Sequence, residues 1–417
     1  MLYDVAPKMR DTVFVAISIM GSGLLFIASL CVAAYADLAD FGAVSSVLAL
    51  AYLFGTVLQL GSNFALPKIA KHNIAELPSA VATKTVVPLI MLVFAVCCTL
   101  LLARKSPVDP AHHTIMVALI LGCIIGVQAN CESLFRALSR PEFVAALNVA
   151  LAVGMIIAVV LGIISETLTA WVYLGFIFLA RLLFIGIAIA CSIRYFRLSN
   201  IAKRHLTVEG LRGQSLTVLV LWLAAGDLVF TNLISSNDPY TLGYVAIKHF
   251  CFGIYLALVQ ECFLPIFIRR ILAMRGPKNT VVLSFALLVA VTTFIACTAV
   301  IALLAYSTGD ERLALNSQQF VTASLNIAIL AFVAVLAKSD FVFHGQGVPP
   351  VGMYIAVAAT LTSLAITHAG FAKVSIISIA WMFAICVLAA CYLLRQILVF
   401  PVVTASNPTT NFRTENK

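Results

Sequence analysis

Charge is what this chain has least of. Asp, Glu, Lys and Arg make up 10% of its 417 residues, against roughly 25% in a soluble domain, and that excludes a soluble enzyme. Paired metal-site cysteines are lacking too. No Cys-x-x-Cys occurs among the eleven cysteines, which sit almost wholly inside apolar runs (Cys31, Cys97, Cys98, Cys123, Cys251, Cys297, Cys386). Neither a zinc site nor a disulfide framework is indicated. The first apolar run has no small-residue cleavage site and is too long for a signal h-region, so it reads as a retained span. Short alternating segments of about ten residues, the mark of a membrane barrel, are absent.

What is present is hydrocarbon. The chain is 62% hydrophobic, with a mean hydropathy of +1.08. A spanning helix needs about 20 apolar residues, and such runs fall at 12–35, 43–66, 80–103, 114–138, 142–164, 168–191, 214–236, 241–268, 280–305, 313–337, 348–368 and 374–398. The expectation is an all-α polytopic membrane protein with about twelve transmembrane helices.

The basic residues orient these spans. Twenty of the 26 Lys and Arg fall on one set of span ends, from Lys8 and Arg10 through Lys68, Lys71, Lys84, Arg136, Arg140 and the 194–212 loop to Arg269, Arg270, Lys338, Arg395 and Lys417. Arg104, Lys105, Arg312 and Lys373 take the other side. Arg181 and Lys248 lie within the spans. Both termini are therefore expected on the cytoplasmic side of the membrane. The net charge of +9 is a topology signal, not a nucleic-acid patch.

The longest break, Ser192–Gly213, is polar and basic and divides the chain six plus six. It suggests an N-terminal lobe (1–198), a C-terminal lobe (199–400) and a cytoplasmic tail (401–417). Span two runs from Phe41-Gly42 to Leu66-Pro67-Lys68, and span eight from Leu242-Gly243 to Leu264-Pro265 with Arg269 beyond. That echo suits parallel repeats.

These segments resemble the polysaccharide flippases of the MATE-like (multidrug/oligosaccharidyl-lipid/polysaccharide exporter) superfamily, particularly the O-antigen type. The resemblance rests on Asp40-Phe41-Gly42 with Leu60-Gly61-Ser62-Asn63-Phe64-Ala65-Leu66, and on Phe135-Arg136-Ala137-Leu138-Ser139-Arg140 leading into Ala145-Ala146-Leu147-Asn148. Asp227, Leu242-Gly243-Tyr244, Lys248 and Pro265 extend it. It implies two six-helix lobes around a central cavity that opens alternately to each face. The implied substrate is undecaprenyl-diphosphate-linked oligosaccharide, carried to the periplasmic leaflet for lipopolysaccharide or other surface polysaccharide. Coupling to H+ or Na+ would drive it, and no cofactor is implied. A polysaccharide polymerase and a chain-length regulator would be its partners, beside membrane lipid.

Such a substrate needs cations for the diphosphate and polar or aromatic groups for sugars. Tyr244, Lys248 and Tyr255 recur on one helical face, although a lysine there could also snorkel to headgroups. Arg181 falls near the centre of span six, where snorkelling reaches neither interface, and could bind an anion or form a structural pair. Asp227 could exchange protons in a coupled cycle, or neutralise Arg181 or Lys248. Gln128, Glu132 and Arg136 form one stripe, with Glu132–Arg136 an expected i,i+4 pair; Glu132 is a second candidate for ion coupling. Gln59 and Asn63, one turn apart, suit hydroxyl-rich ligands or helix–helix hydrogen bonding. Glu261 is expected to pair with Arg269 or Lys68. His249 has no assigned role, and Gly21-Ser22-Gly23 reads as close packing.

Two other functions compete. A MATE-type exporter of cationic drugs would want a mainly acidic cavity, which Arg181 and Lys248 oppose. A membrane polymerase or acyltransferase would want a catalytic loop or a His/Asp constellation, yet no loop on the less basic side exceeds about a dozen residues under the span assignment.

Overall fold

The computed structural model of the protein describes residues 5–36, 38–62, 65–66, 69–70, 73–103, 110–138, 140–193, 208–234, 239–264, 267, 279–308, 317–344, 350–368 and 374–399. Twelve long helices account for nearly all of them. The first six are α1 (Val5–Tyr35), α2 (Leu38–Leu58), α3 (Leu77–Ala103), α4 (Pro110–Ala137), α5 (Pro141–Ile164) and α6 (Ala170–Ser192). The second six are α7 (Val208–Ile234), α8 (Pro239–Ile254, continued by a π-helical stretch Tyr255–Phe263), α9 (Asn279–Thr308), α10 (Ser317–His344), α11 (Pro350–His368) and α12 (Val374–Val399). Nine described segments are long and apolar enough to cross a membrane, and three shorter apolar helical segments, Met20–Tyr35, Tyr244–Gln260 and Val351–Ile366, fall in α1, α8 and α11. This is a multi-pass membrane protein.

Helix packing repeats between the halves. In the first, α1 packs on α5, α2 and α3 on α4, α4 on α6, and α5 on α6. In the second, α7 packs on α11, α8 and α9 on α10, α10 on α12, and α11 on α12. Burial follows the same order. The spans of α4 and α10 are 61% and 72% buried, whereas their neighbours α3 and α9 are 22% and 28% buried, so the latter lie outside. Leu89, Ile90, Val93 and Phe94 of α3 are accordingly exposed, as a lipid-facing helix requires, because lipid tails satisfy apolar side chains as well as protein does. The proposed division at residue 198 falls in 194–207, outside the described residues.

Close packing inside each half depends on missing side chains. A Cβ on Gly55 of α2 would stand 2.5 Å from Ile125 of α4, and one on Gly122 of α4 would stand 2.6 Å from Phe54. Small residues let transmembrane backbones approach where no hydrophobic force separates helix from lipid. In the second half, Trp381 of α12 lies against Gly226 of α7, where a Cβ would stand 2.3 Å from the indole ring. Trp381 donates to Ser363 Oγ at 2.9 Å, and Trp222 donates to Thr360 Oγ1 at 3.0 Å.

The halves meet mainly where α2 lies along α7 and α8. Phe41 stacks on Phe250 at 5.8 Å and meets His249 edge-on at 5.3 Å. Tyr52 meets Phe252 edge-on at 6.3 Å. Towards the other end of α2, Gln214 of α7 donates to the carbonyl of Thr56.

Two expectations need correction, one about span two and one about two basic residues. It is not one continuous helix to residue 66: α2 stops at Leu58, Leu60 and Gly61 take φ values of 50° and 72°, and helix resumes at Ser62. A left-handed leucine is strained by about 1–3 kcal/mol and persists only where its surroundings enforce it. Here the enforcement comes from Lys84 of α3, whose Nζ donates to the Leu60 carbonyl. Asn130 of α4 accepts from Ser62 and donates to the Lys84 carbonyl at 2.9 Å. Lys84 and Lys338 are therefore not loop-end cations. Both are buried within helices, and Lys338 donates to Thr217 Oγ1 of α7 at 2.7 Å.

Candidate functional site

The first half builds a site around Arg181. Its helix, α6, opens at Thr169, whose side chain accepts from the Val172 amide, and has only 17% of its span buried. Arg181 is half-buried on the inward side. Its Nη1 donates to Gln128 Oε1 of α4 at 2.8 Å, and its Nη2 donates to the Tyr52 hydroxyl of α2 at 2.7 Å. The guanidinium carbon stands 5.2 Å from the centroid of the Tyr52 ring. Gln128 is itself tethered, donating through Nε2 to Glu132 Oε1 at 2.9 Å. Glu132 in turn pairs with Arg136 at 3.3 Å. The stripe one turn apart on α4 is thus the backing of Arg181.

Among the described residues Arg181 enters no ion pair, and its Nε is buried with no hydrogen-bond partner. A guanidinium offers five N–H donors in a fixed fork, and a charge at the centre of a span is costly unless compensated. Two neutral acceptors and one ring are what the protein supplies. A tetrahedral oxyanion would supply both the missing charge and the missing acceptor.

The second half builds the opposite arrangement. Lys248 Nζ of α8 lies 2.9 Å from Asp227 Oδ2 of α7, and both side chains are fully buried. The Tyr244 hydroxyl donates to the same oxygen at 2.7 Å, and the Leu228 amide donates to Asp227 Oδ1 at 2.9 Å. Cation, anion and phenol form one charge-balanced cluster, in which the ion pair is the partner of Lys248 Nζ among the described residues. Asp227 neutralises Lys248, not Arg181. Tyr255 is fully buried at the start of the π-helical stretch, its hydroxyl accepting from Gln260 at 2.6 Å. The face carrying Tyr244, Lys248 and Tyr255 is packed into protein in this conformation.

Gln59 sits at the end of α2, where its carbonyl accepts from the Ser62 amide at 3.0 Å. Asn63, expected one turn beyond it, lies outside the described residues, as do Lys68, Arg269 and the side chain of Glu261. His249 is held edge-on by Phe41 and Phe250, with its Nδ1 buried and without a partner. Sequence reasoning missed Tyr52, Lys84 and the Asp340–Arg395 pair, which joins α10 to α12 at 3.0 Å. Tyr52 had a signal: Tyr52, Thr56 and Gln59 recur at i, i+4 and i+7, one polar stripe on an apolar helix.

Two like halves of six helices, packed through α2, α7 and α8, define a polytopic α-helical membrane protein. The particular fold is similar to that of two solved transporters. A MOP superfamily transporter from Pyrococcus furiosus, described as having a binding pocket of reverse polarity that suggests a different function, aligns at a TM-score of 0.57 and 12% identity over 94% of this chain and 96% of its own. A multidrug-resistance MATE family transporter in an outward-facing conformation aligns at 0.55 and 14% identity over 95% and 96%. No protein-family model and no curated protein matches the sequence.

Proposed function

We propose that this chain is a membrane transporter that flips undecaprenyl-diphosphate-linked oligosaccharide from the cytoplasmic to the periplasmic leaflet by alternating access. Its termini lie in the cytoplasm of a bacterial inner membrane, and its two lobes divide near residue 198. One observation carries the reading: Arg181 lies within a spanning helix with neutral partners only and one N–H unused. A diphosphate supplies paired oxygens for that fork. Tyr52 and Gln128, already on the guanidinium, offer a ring and an amide to the neighbouring sugar.

The fully buried Asp227–Lys248 pair is the candidate coupling element, whose partnership would open and reform as H+ or Na+ is exchanged. Export of cationic drugs fits less well. The carboxylate of Asp227 is occupied by Lys248, and Glu132 is engaged by Gln128 and Arg136. The Pyrococcus furiosus neighbour is described as having a binding pocket of reverse polarity that suggests a different function, which supports a reading in which pocket polarity varies within this fold.

Deleting the gene in its host tests the reading. The expected result is loss of surface polysaccharide, with lipid-linked repeat units retained on the inner leaflet and recovery by the wild-type gene. Normal surface polymer in a clean deletion would sink the proposal, and altered drug susceptibility with normal polymer would point to the MATE-type exporter.

A further inference from the structure

The Arg181 site is closed at the atom a ligand would most want. Its Nε is unused, yet buried, so an anion reaching it must displace a neighbour. Two side chains hold the guanidinium, and they are anchored unequally. Gln128 is fastened through its amide nitrogen to Glu132 on its own helix. The Tyr52 hydroxyl has Arg181 Nη2 as its hydrogen-bond partner among the described residues. Tyr52 is therefore the side chain free to yield. Its ring also meets Phe252 of α8 edge-on at 6.3 Å, so it belongs at once to the anion site and to the contact between the halves.

We infer that Tyr52 is a displaceable plug. An oxyanion of the diphosphate class takes Nε and Nη2 of Arg181 as a fork, drives the Tyr52 hydroxyl off Nη2, and thereby loosens the Tyr52–Phe252 contact. Occupancy of the site is thus reported to the α2–α8 seam by one side chain. A ligand can shift a conformational equilibrium only through interactions that differ between its states, and this bond exchange is such a difference. The inference rests on the reading of Arg181 as an anion site and adds how that site signals.

Inorganic pyrophosphate is the probe, applied to the purified full chain in nanodiscs, with affinity read by calorimetry and seam opening by hydrogen–deuterium exchange over residues 248–256. Tyr52→Phe keeps the ring but removes the competing hydroxyl. It is expected to bind pyrophosphate about three- to tenfold more tightly than wild type, consistent with losing one competing hydrogen bond. Pyrophosphate should raise exchange over 248–256 in the wild type and leave it unchanged in Arg181→Gln. If Arg181→Gln binds pyrophosphate as the wild type does, the anion reading itself falls. If Arg181→Gln loses binding while Tyr52→Phe binds no more tightly, or the seam does not respond in the wild type, the anion site stands and the plug is overturned. Phe252→Leu serves as a second variant: it should raise basal exchange over 248–256 without weakening pyrophosphate binding, and an unchanged basal exchange counts against the seam contact.

Discussion

Lys248 has its counter-charge 2.9 Å away, with a phenol and a backbone amide completing the same carboxylate. Arg181, in a spanning helix of the other half, has an amide, a phenol and a ring, and one donor with nothing on it. Both are cations inside spanning helices and each has a buried nitrogen without a hydrogen-bond partner, yet the charge of one is finished by the protein and that of the other is left uncompensated among the described residues. A buried ion pair is weak evidence for function, since its desolvation penalty offsets much of its attraction. A cation within a span that has no counter-charge is stronger evidence, because leaving it so is costly. On the proposed reading, substrate chemistry belongs to Arg181 and structural or coupling chemistry to Lys248.

The largest expected effect comes from breaking the finished pair on one side. Asp227→Ala leaves Lys248 buried without a partner and should destabilise the fold by about 3–5 kcal/mol, read as loss of monodisperse protein after detergent extraction. Next, Arg181→Gln should cut transport about tenfold or more, the equivalent of losing a charge-assisted hydrogen bond of roughly 1.5–3 kcal/mol, with membrane abundance unchanged. Arg181→Lys should recover little, because an ammonium lacks the planar fork; full recovery would show that charge alone matters.

Removing both members of the finished pair sharpens the contrast further. Asp227→Leu with Lys248→Met should fold as well as wild type or better, by about 1–4 kcal/mol, as replaced buried pairs often do. If that stable double variant transports normally, the pair is scaffold; if it is stable and inactive, the pair couples transport. The smallest effect is expected at Glu132–Arg136, where Arg136 is 45% exposed. Arg136→Ala should change stability by less than about 0.5 kcal/mol, so a large loss there would mean that the α4 stripe is the working centre.

Much of this was legible in residue order. Helix number and limits follow from apolar runs, and α5 (141–164) and α12 (374–399) match the expected 142–164 and 374–398 closely, because lipid demands unbroken apolar length. The Glu132–Arg136 pair follows from spacing alone. Partner choice was less legible. Asp227 could have matched either cation, and only the packing of α7 on α8 decided for Lys248. Lys84 was read as one of many interfacial cations, because nothing local reveals that Leu60, 24 residues earlier, releases a carbonyl to it. Tyr52 lies in an apolar run, and only the packing of α6 sets Arg181 against it.

The break in α2 has a consequence for the order in which the chain is made. Its strained corner at Leu60 is secured by Lys84, and the resumed turn at Ser62 by Asn130. Those residues belong to α3 and α4, which leave the ribosome after α2 and enter the bilayer later. During synthesis α2 therefore waits with its bend unsecured, and the second span reaches its final form only when the fourth has arrived. Biogenesis of the first half is in this sense a unit of four helices.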